Sequence, residues 1–130
     1  MKADTQEWVR CAEEDFQVAS SQFRLRTKQP TANAVGFHYQ QCVEKYLKAR
    51  LTEAGASVPR VHDLMLLLQN LLPIEPLWAP FAPTLLGLND YAVKFRYPGH
   101  IATRADARDA LKACHSIRAE VRLSLGLPKK

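Results

Sequence analysis

Apolar residues recur along the chain at helical spacing, and no segment alternates apolar and polar residues over the length of a strand. This pattern predicts an all-α protein. Caps, glycines and prolines divide it into five helices, over residues 4–27, 31–54, 61–72, 83–95 and 103–125. Long helices joined by short connections favour an antiparallel up-and-down four-helix bundle with an additional short helix, as one domain over residues 1–130.

Local signals mark the ends of these helices. Asp4 or Thr5 is expected to cap the first helix. Thr103 and Asp106 are spaced as a capping box for the last helix, although Asp is weaker than Glu at the second position. The segment PIEPLWAPFAP, residues 73–83, holds four prolines and is expected to be a connection with apolar anchors.

Two rows of side chains follow the second predicted helix. One is an apolar stripe of Val35, Tyr39, Cys42, Val43, Tyr46 and Leu47. The other, on a neighbouring arc of the helix, consists of His38, Gln41, Lys45 and Lys48. This polar row is interpreted as a solvated flank supported by i,i+4 pairs, as a phosphate, nucleotide or partner site, or as a structural row held to carboxylates such as Asp63 or Glu44. Phe37 lies on the far side, which suggests that another subunit covers the helix there.

Polar residues also gather at the ends of other helices. His62 and Asp63 open the third helix, where they fit a helix cap as well as a site. Arg96 and Tyr97 close the fourth, where Arg96 can satisfy the last carbonyls or pair with a carboxylate. The last helix carries a basic row, which is either a solvated face or a surface for RNA or another anion. That row is Arg104, Arg108, His115 and Arg122, with Arg118 beside it.

Composition narrows the class of protein. Hydrophobic residues make up 47% of the chain, which excludes a disordered polymer. The net charge of +5 permits contact with nucleic acid without demanding it. Three cysteines stand far apart with no C-x-x-C pair, so we expect buried free thiols, no metal site and no cofactor. No apolar run reaches membrane-spanning length, and the sequence MKADTQEW lacks a signal-peptide core, so a cytoplasmic location is expected.

Three blocks together carry a family resemblance. FHYQQCVEKYLKARLTEAG, then PRVHDLMLLL, then RYP before the last helix resemble the HEPN domain of prokaryotic nucleotidyltransferase-associated proteins. The order and spacing of the blocks match over essentially the whole chain. The resemblance implies a helical bundle, a homodimer and a cytoplasmic role beside a small nucleotidyltransferase. Many such pairs are toxin–antitoxin systems in which the HEPN partner is the toxin.

The broader family includes metal-independent ribonucleases. Their motif is an Arg, commonly followed by a polar residue, then four to six residues and a His, and two copies meet across a dimer. Arg108, Asp109 and His115 fit this form with six intervening residues, whereas Arg96 and His100 have only three. A spacing of seven places both groups on one helix face. There an imidazole can act as general base on a 2′-OH while a guanidinium holds the scissile phosphate.

Three functions therefore stay open at this point. The first is a dimeric binding module that pairs with a nucleotidyltransferase, and the second is a ribonuclease that uses Arg108 and His115. The third is a nucleotide-binding subunit that uses Lys45, Lys48 and Arg96. Contacts with a nucleotide or a partner are expected at His38, Gln41, Lys45, Lys48, His62, Asp63, Arg96 and Tyr97.

Overall fold

Five α-helices and no strands make up the computed structural model, which describes residues 1–130. The helices are α1 Ala3–Arg24, α2 Ala32–Glu53, α3 Leu64–Leu71, α4 Ala82–Asn89 and α5 Arg104–Ser124. Two 3₁₀ helices, Pro76–Phe81 and Lys94–Arg96, precede and follow α4. The all-α prediction and the number of helices are confirmed. No helix combines the length and the apolar character needed to cross a bilayer.

The helix ends differ from the sequence prediction in several places. α3 begins at Leu64, so His62 and Asp63 precede it, and α4 ends at Asn89. The proline-rich connection contains a 3₁₀ helix, whose Trp78 is buried as an anchor. At the start of the chain the expected cap is wrong, because α1 begins at Ala3 without a side-chain cap.

Helix α2 lies at the centre and packs against α1, α3 and α5. α1 runs antiparallel to α2, because Thr5 near the start of α1 donates a hydrogen bond of 2.8 Å to Glu53 at the end of α2. α5 runs parallel to α2, because Arg50 donates to Ser124 at the end of α5 at 2.7 Å. The long helices α1 and α2 thus run antiparallel and α5 runs parallel to α2, which is compatible with an up-and-down bundle.

The predicted apolar stripe of α2 is confirmed, since all six of its side chains are buried in the core. The capping box of α5 is confirmed as well, with Thr103 and Asp106 exchanging bonds of 3.1 and 2.8 Å. All three cysteines are free. Cys42 and Cys114 are buried, whereas Cys11 is only half-buried, so the expectation of buried thiols holds for two of them.

The segment after α4 crosses the start of α2 through one close contact. A Cβ atom placed on Gly36 would lie 1.9 Å from Cε1 of Tyr91, far inside van der Waals contact. The absence of a side chain at Gly36 therefore lets the Tyr91 ring lie directly on α2. Phe95 packs beside that ring, with 4.8 Å between the centroids. This contact fixes the position of the segment after α4, which faces the start of α5.

Candidate functional site

The polar row of α2 finds its first partner in a carboxylate of α1. Asp15 is 8% exposed and accepts a hydrogen bond of 2.5 Å from Nζ of Lys45. Nδ1 of His38 lies 2.8 Å from the other oxygen of the same carboxylate. Asp15 therefore holds two members of the row against α1, and the Lys45 ammonium is already neutralised within the chain.

The other two members of the row converge on Glu44, which is only 3% exposed. Gln41 donates to this carboxylate at 3.3 Å and Lys48 donates to it at 3.1 Å. Nδ1 of His62 lies 3.1 Å from the same group, so the segment before α3 is tied to α2. Nζ of Lys48 also lies 5.6 Å from the ring centroid of Trp8. Most of the polar row thus serves as an internal bonding surface rather than a solvated flank.

Asp63 acts as the N-cap of α3. Its carboxylate accepts hydrogen bonds from the backbone N–H of Met65 at 2.9 Å and from Nδ2 of Asn89 at 3.0 Å. The side-chain oxygen of Asn89 in turn accepts from the backbone N–H of Leu64. Asp63 therefore joins the start of α3 to the end of α4 and makes no bond to the polar row of α2.

Arg96 and Tyr97 follow α4 at the surface. The guanidinium of Arg96 stacks over the Phe37 ring at 5.3 Å and makes no ion pair, so the expected carbonyl or carboxylate partner is wrong. Phe37 is half-buried, and part of its cover comes from this arginine. The side chain of Tyr97 is exposed.

The predicted basic row of α5 divides into a buried half and an exposed half. Arg118 and Arg122 are 6% and 9% exposed, so the expectation of a surface row is wrong for them. Arg118 donates two hydrogen bonds to Glu13 at 2.6 and 2.8 Å, and Arg122 donates to the Tyr46 hydroxyl at 2.9 Å. Tyr46 donates to Glu13 at 2.5 Å, which closes a network among α1, α2 and α5.

This network sets the charge of Glu13. Burial acts to raise the pKa of its carboxyl, but the hydrogen bonds from Arg118 and Tyr46 outweigh burial and hold the pKa below its usual value. The same surroundings raise the pKa of Tyr46, chiefly through burial and then through the hydrogen bond to Glu13. The network therefore contains an ionised carboxylate and a neutral phenol at physiological pH.

The exposed half of the row lies against aromatic rings of α1. The guanidinium groups of Arg104 and Arg108 lie 4.2 and 6.0 Å from the centroid of the Phe23 ring. His115 meets Phe16 edge-to-face, with 5.1 Å between the centroids. Arg108 and His115 are exposed and have no hydrogen-bond or ion-pair partner within the chain. We call Arg104, Arg108 and His115 the basic strip.

Two features of the basic strip suit it to acid–base chemistry and to anion binding. Partial burial, with the charge of Arg118, lowers the pKa of His115, so its imidazole is neutral at pH 7 and can accept a proton. Nε of Arg104 is buried without a hydrogen-bond partner. That side chain borders a cleft of about 360 Å³, which Phe23 and Arg26 also line. Guanidinium groups beside aromatic and apolar surface suit phosphates and bases respectively.

Comparison with families of known proteins agrees with this architecture. The model of the HEPN domain matches residues 5–124. The chain belongs to the HEPN family. Comparison with curated proteins and with solved structures gave no match. The family to which the sequence blocks point is therefore confirmed for this HEPN domain, together with its helical bundle.

Sequence reasoning offered a carboxylate such as Glu44 as a structural partner of the polar row, but it missed Asp15 and Glu13, which also organise this HEPN domain. Asp15 falls on the apolar stripe of α1, and Glu44 lies beside the apolar stripe of α2. A charged residue in such a position is a signal for a buried ion pair, because an unpaired charge is costly there. Glu13 carries no such signal, since its partner Arg118 lies 105 residues away. No three His, Cys, Asp or Glu side chains come together as a metal site.

Proposed function

We propose that this HEPN domain is a dimeric binding module that pairs with a small nucleotidyltransferase and presents its basic strip to RNA. One observation carries the RNA part of the proposal. Arg108 and His115 have no internal partner, whereas Arg118 and Arg122 on the same helix are taken up by Glu13 and Tyr46. An unpaired guanidinium and a neutral imidazole beside aromatic rings match the phosphates and bases of single-stranded RNA.

The pairing of the lysines on α2 favours this surface over a nucleotide site on that helix. Lys45 and Lys48 each bond to a carboxylate of the chain, and Arg96 lies on the Phe37 ring. A phosphate would have to displace those carboxylates, which would then stay buried without the lysine that neutralises each of them. The basic strip demands no such rearrangement.

The partner and the assembly rest on the family. Proteins of this kind occur beside small nucleotidyltransferases, and many of these pairs are toxin–antitoxin systems. We extend both properties to this chain as part of the proposal, with the HEPN domain as the toxin, a homodimer as its assembly and the cytoplasm as its location. Co-expression with a neighbouring nucleotidyltransferase followed by co-purification tests the pairing, and light scattering at micromolar concentration tests the dimer.

A metal-independent ribonuclease is the second candidate function. The observation in its favour is a neutral, exposed His115 placed two turns after Arg108 on one helix. Arg108 would hold the phosphate while His115 takes the proton from the 2′-OH, whose oxygen then attacks phosphorus. The bond to the 5′ oxygen breaks, and the proton passes to that leaving oxygen. The products are a 2′,3′-cyclic phosphate and a 5′-OH.

One set of variants tests both functions. Arg108→Ala is expected to weaken RNA binding and to reduce the salt dependence by about one phosphate contact, read by fluorescence anisotropy. His115→Ala is expected to retain most of the binding and to abolish any cleavage measured in EDTA. Arg60→Ala removes an exposed arginine from the loop after α2 and is the matched control.

The outcomes separate the candidates. Equal losses in Arg108→Ala and Arg60→Ala would show that RNA responds only to net charge, and the basic strip would be the wrong surface. Binding without cleavage in the parent protein would leave the binding module and remove the ribonuclease. Cleavage that survives in His115→Ala would also remove this ribonuclease mechanism.

A further inference from the structure

A larger cleft, of about 650 Å³, opens between α4 and the first half of α5. Three carboxylates line it, those of Asp90, Asp106 and Asp109. Lys94 and His100 are the basic residues among its walls. Without counting the histidine, three carboxylates against one ammonium leave the cleft with two negative charges. A negative cleft stands out in a chain whose net charge is +5.

These carboxylates differ from the organising carboxylates of the bundle. Asp15 and Glu44 are each neutralised by a lysine of the chain. The carboxylates of Asp90 and Asp109 make no hydrogen bond or ion pair with any other protein group, and only the Asp106 carboxylate is in use, at the α5 capping box. Two acidic side chains at one cleft are thus free to meet a cation from outside.

A buried phenol in the wall of the cleft adds an independent signal. Tyr91 is 5% exposed, and its ring lies on α2 at Gly36. Its hydroxyl makes no hydrogen bond with the protein, and the oxygen itself stays open to solvent, since Nε of Arg104 is the one buried side-chain polar atom without a partner. Burial raises the pKa of the Tyr91 hydroxyl, and the charges of Asp106 and Asp109 raise this pKa further. The hydroxyl is therefore neutral, and it lies close enough to these carboxylates for their charge to act on it. It can accept a hydrogen bond from an ammonium group in the cleft.

The spread of the charges decides what kind of cation fits. No three of these groups converge tightly enough to hold a metal ion. Asp106 and Asp109 lie one helical turn apart, about 5–6 Å between their Cβ atoms, and Asp90 belongs to the opposite wall. Between them the lining is apolar, with Leu88, Phe95 and Ala110. A suitable ligand therefore has separated positive charges joined by apolar chain.

We infer that the α4–α5 cleft binds a linear aliphatic polyamine. Its ammonium groups would meet Asp106 and Asp109 on α5 and, across the cleft, Asp90 and the hydroxyl of Tyr91, while its methylene chain lies on Leu88 and Phe95. Ammonium groups separated by three or four methylenes lie about 5–6 Å apart, since each bond is about 1.5 Å long. That separation matches the one-turn spacing of Asp106 and Asp109 on α5, and an aromatic wall favours ammonium groups further.

Spermidine is the probe for this site, titrated into the full chain by calorimetry at 150 mM salt, which is about physiological. Asp109→Asn and Asp90→Asn are each expected to weaken binding about tenfold, the usual effect of losing one charged hydrogen bond. Tyr91→Phe, which keeps the ring on Gly36, is expected to weaken it about threefold. Glu120→Gln is the matched control, because Glu120 also lies on α5 and has no partner within the chain.

Each result decides for or against the site. Saturable binding of spermidine that falls in the cleft variants and persists in Glu120→Gln supports it. Equal heats from Mg²⁺ at the same charge concentration would show general screening instead and would overturn the inference. Spermidine affinity that is unchanged in Asp109→Asn and Asp90→Asn, or no saturable binding to the folded parent, would overturn it as well.

Discussion

Asp15 of α1 accepts a hydrogen bond of 2.5 Å from Lys45 of α2. The carboxylate sits on the stripe that α1 turns toward the core, where an uncompensated charge is costly. The lysine therefore stabilises the fold by neutralising Asp15, and its own charge is paired inside the molecule. We expect substitution of either residue to change the stability of the fold rather than the affinity for RNA.

Lys45→Met, which keeps the length of the side chain and removes its charge, is expected to lower the free energy of unfolding by about 1–3 kcal/mol. Urea denaturation at pH 7 measures this difference. Lys112→Met removes an exposed lysine of α5 and is expected to change stability by less than about 0.5 kcal/mol. RNA affinity should stay unchanged in folded Lys45→Met. If Lys45→Met lost affinity while it kept full stability, the result would instead support a nucleotide site on α2.

Glu13 should make stability depend on pH. Because its folded pKa lies below the usual value of 4.5, ionised Glu13 stabilises the fold above that pH, and this contribution is lost as the pH falls through the folded pKa. Glu13→Gln should therefore flatten the acid side of the stability curve below about pH 4.5. A third of the side chain, 34%, is exposed, so we expect at most about 1 kcal/mol.

Denaturation curves between pH 7 and pH 3 test this contribution. Glu14→Gln is the control, since Glu14 neighbours Glu13 but is exposed and pairs only with Arg10 on the surface. Parallel pH profiles for the parent and Glu13→Gln would contradict the assignment of the network as a pH-dependent element.

Gly36→Ala should destabilise the fold, because the new methyl group would collide with the Tyr91 ring at 1.9 Å. The ring belongs to the buried core, so it can move only by disturbing its neighbours, and a cost of about 1–3 kcal/mol is expected. Gly87→Ala is the matched control within α4, where a Cβ would meet nothing within 4 Å. There the helix propensity of alanine should stabilise the protein by about 0.5–1 kcal/mol. Thermal unfolding distinguishes the two signs, and equal stability of both variants would contradict the close contact.

His115 gives the proposed ribonuclease a defined pH profile. Its pKa lies below the usual 6.5, so the imidazole becomes a competent base at lower pH than an ordinary histidine. The cleavage rate should rise with pH and reach its plateau through a midpoint below 6.5. His100→Ala should keep this profile. A midpoint above 6.5, or the same profile in His115→Ala, would remove His115 as the base.

The helices could be predicted from the sequence because the signals that define them are local. Apolar spacing, the Thr103 capping box and the glycine after α2 each act within a few residues. The turn after Asn89 shortened α4 relative to the prediction, since the apolar pattern continues there while the backbone does not. Periodicity reports which side chains are buried, and it does not report where a helix stops.

The candidate site could be predicted only in part, for a physical reason. Whether an arginine is free depends on partners that are distant in the chain, as the bond between Glu13 and Arg118 shows. Arg108 and Arg122 lie only about 40° apart on a helical wheel, and only the first is exposed. The wheel places side chains on a face, but it holds no information about the carboxylates of other helices.

The central position of α2 has a consequence for how this family diverges. Twelve of its 22 residues are buried, and its polar residues are bonded to three other segments. A substitution there must satisfy several neighbours at once, so accepted changes in relatives should be scarcer along α2 than along the exposed side of α5. Helix α2, by which members of the family are most easily recognised, would then reflect the fold that they share. Differences in what individual members act upon should accumulate on α5 and around the cleft beside α4, where fewer neighbours constrain them.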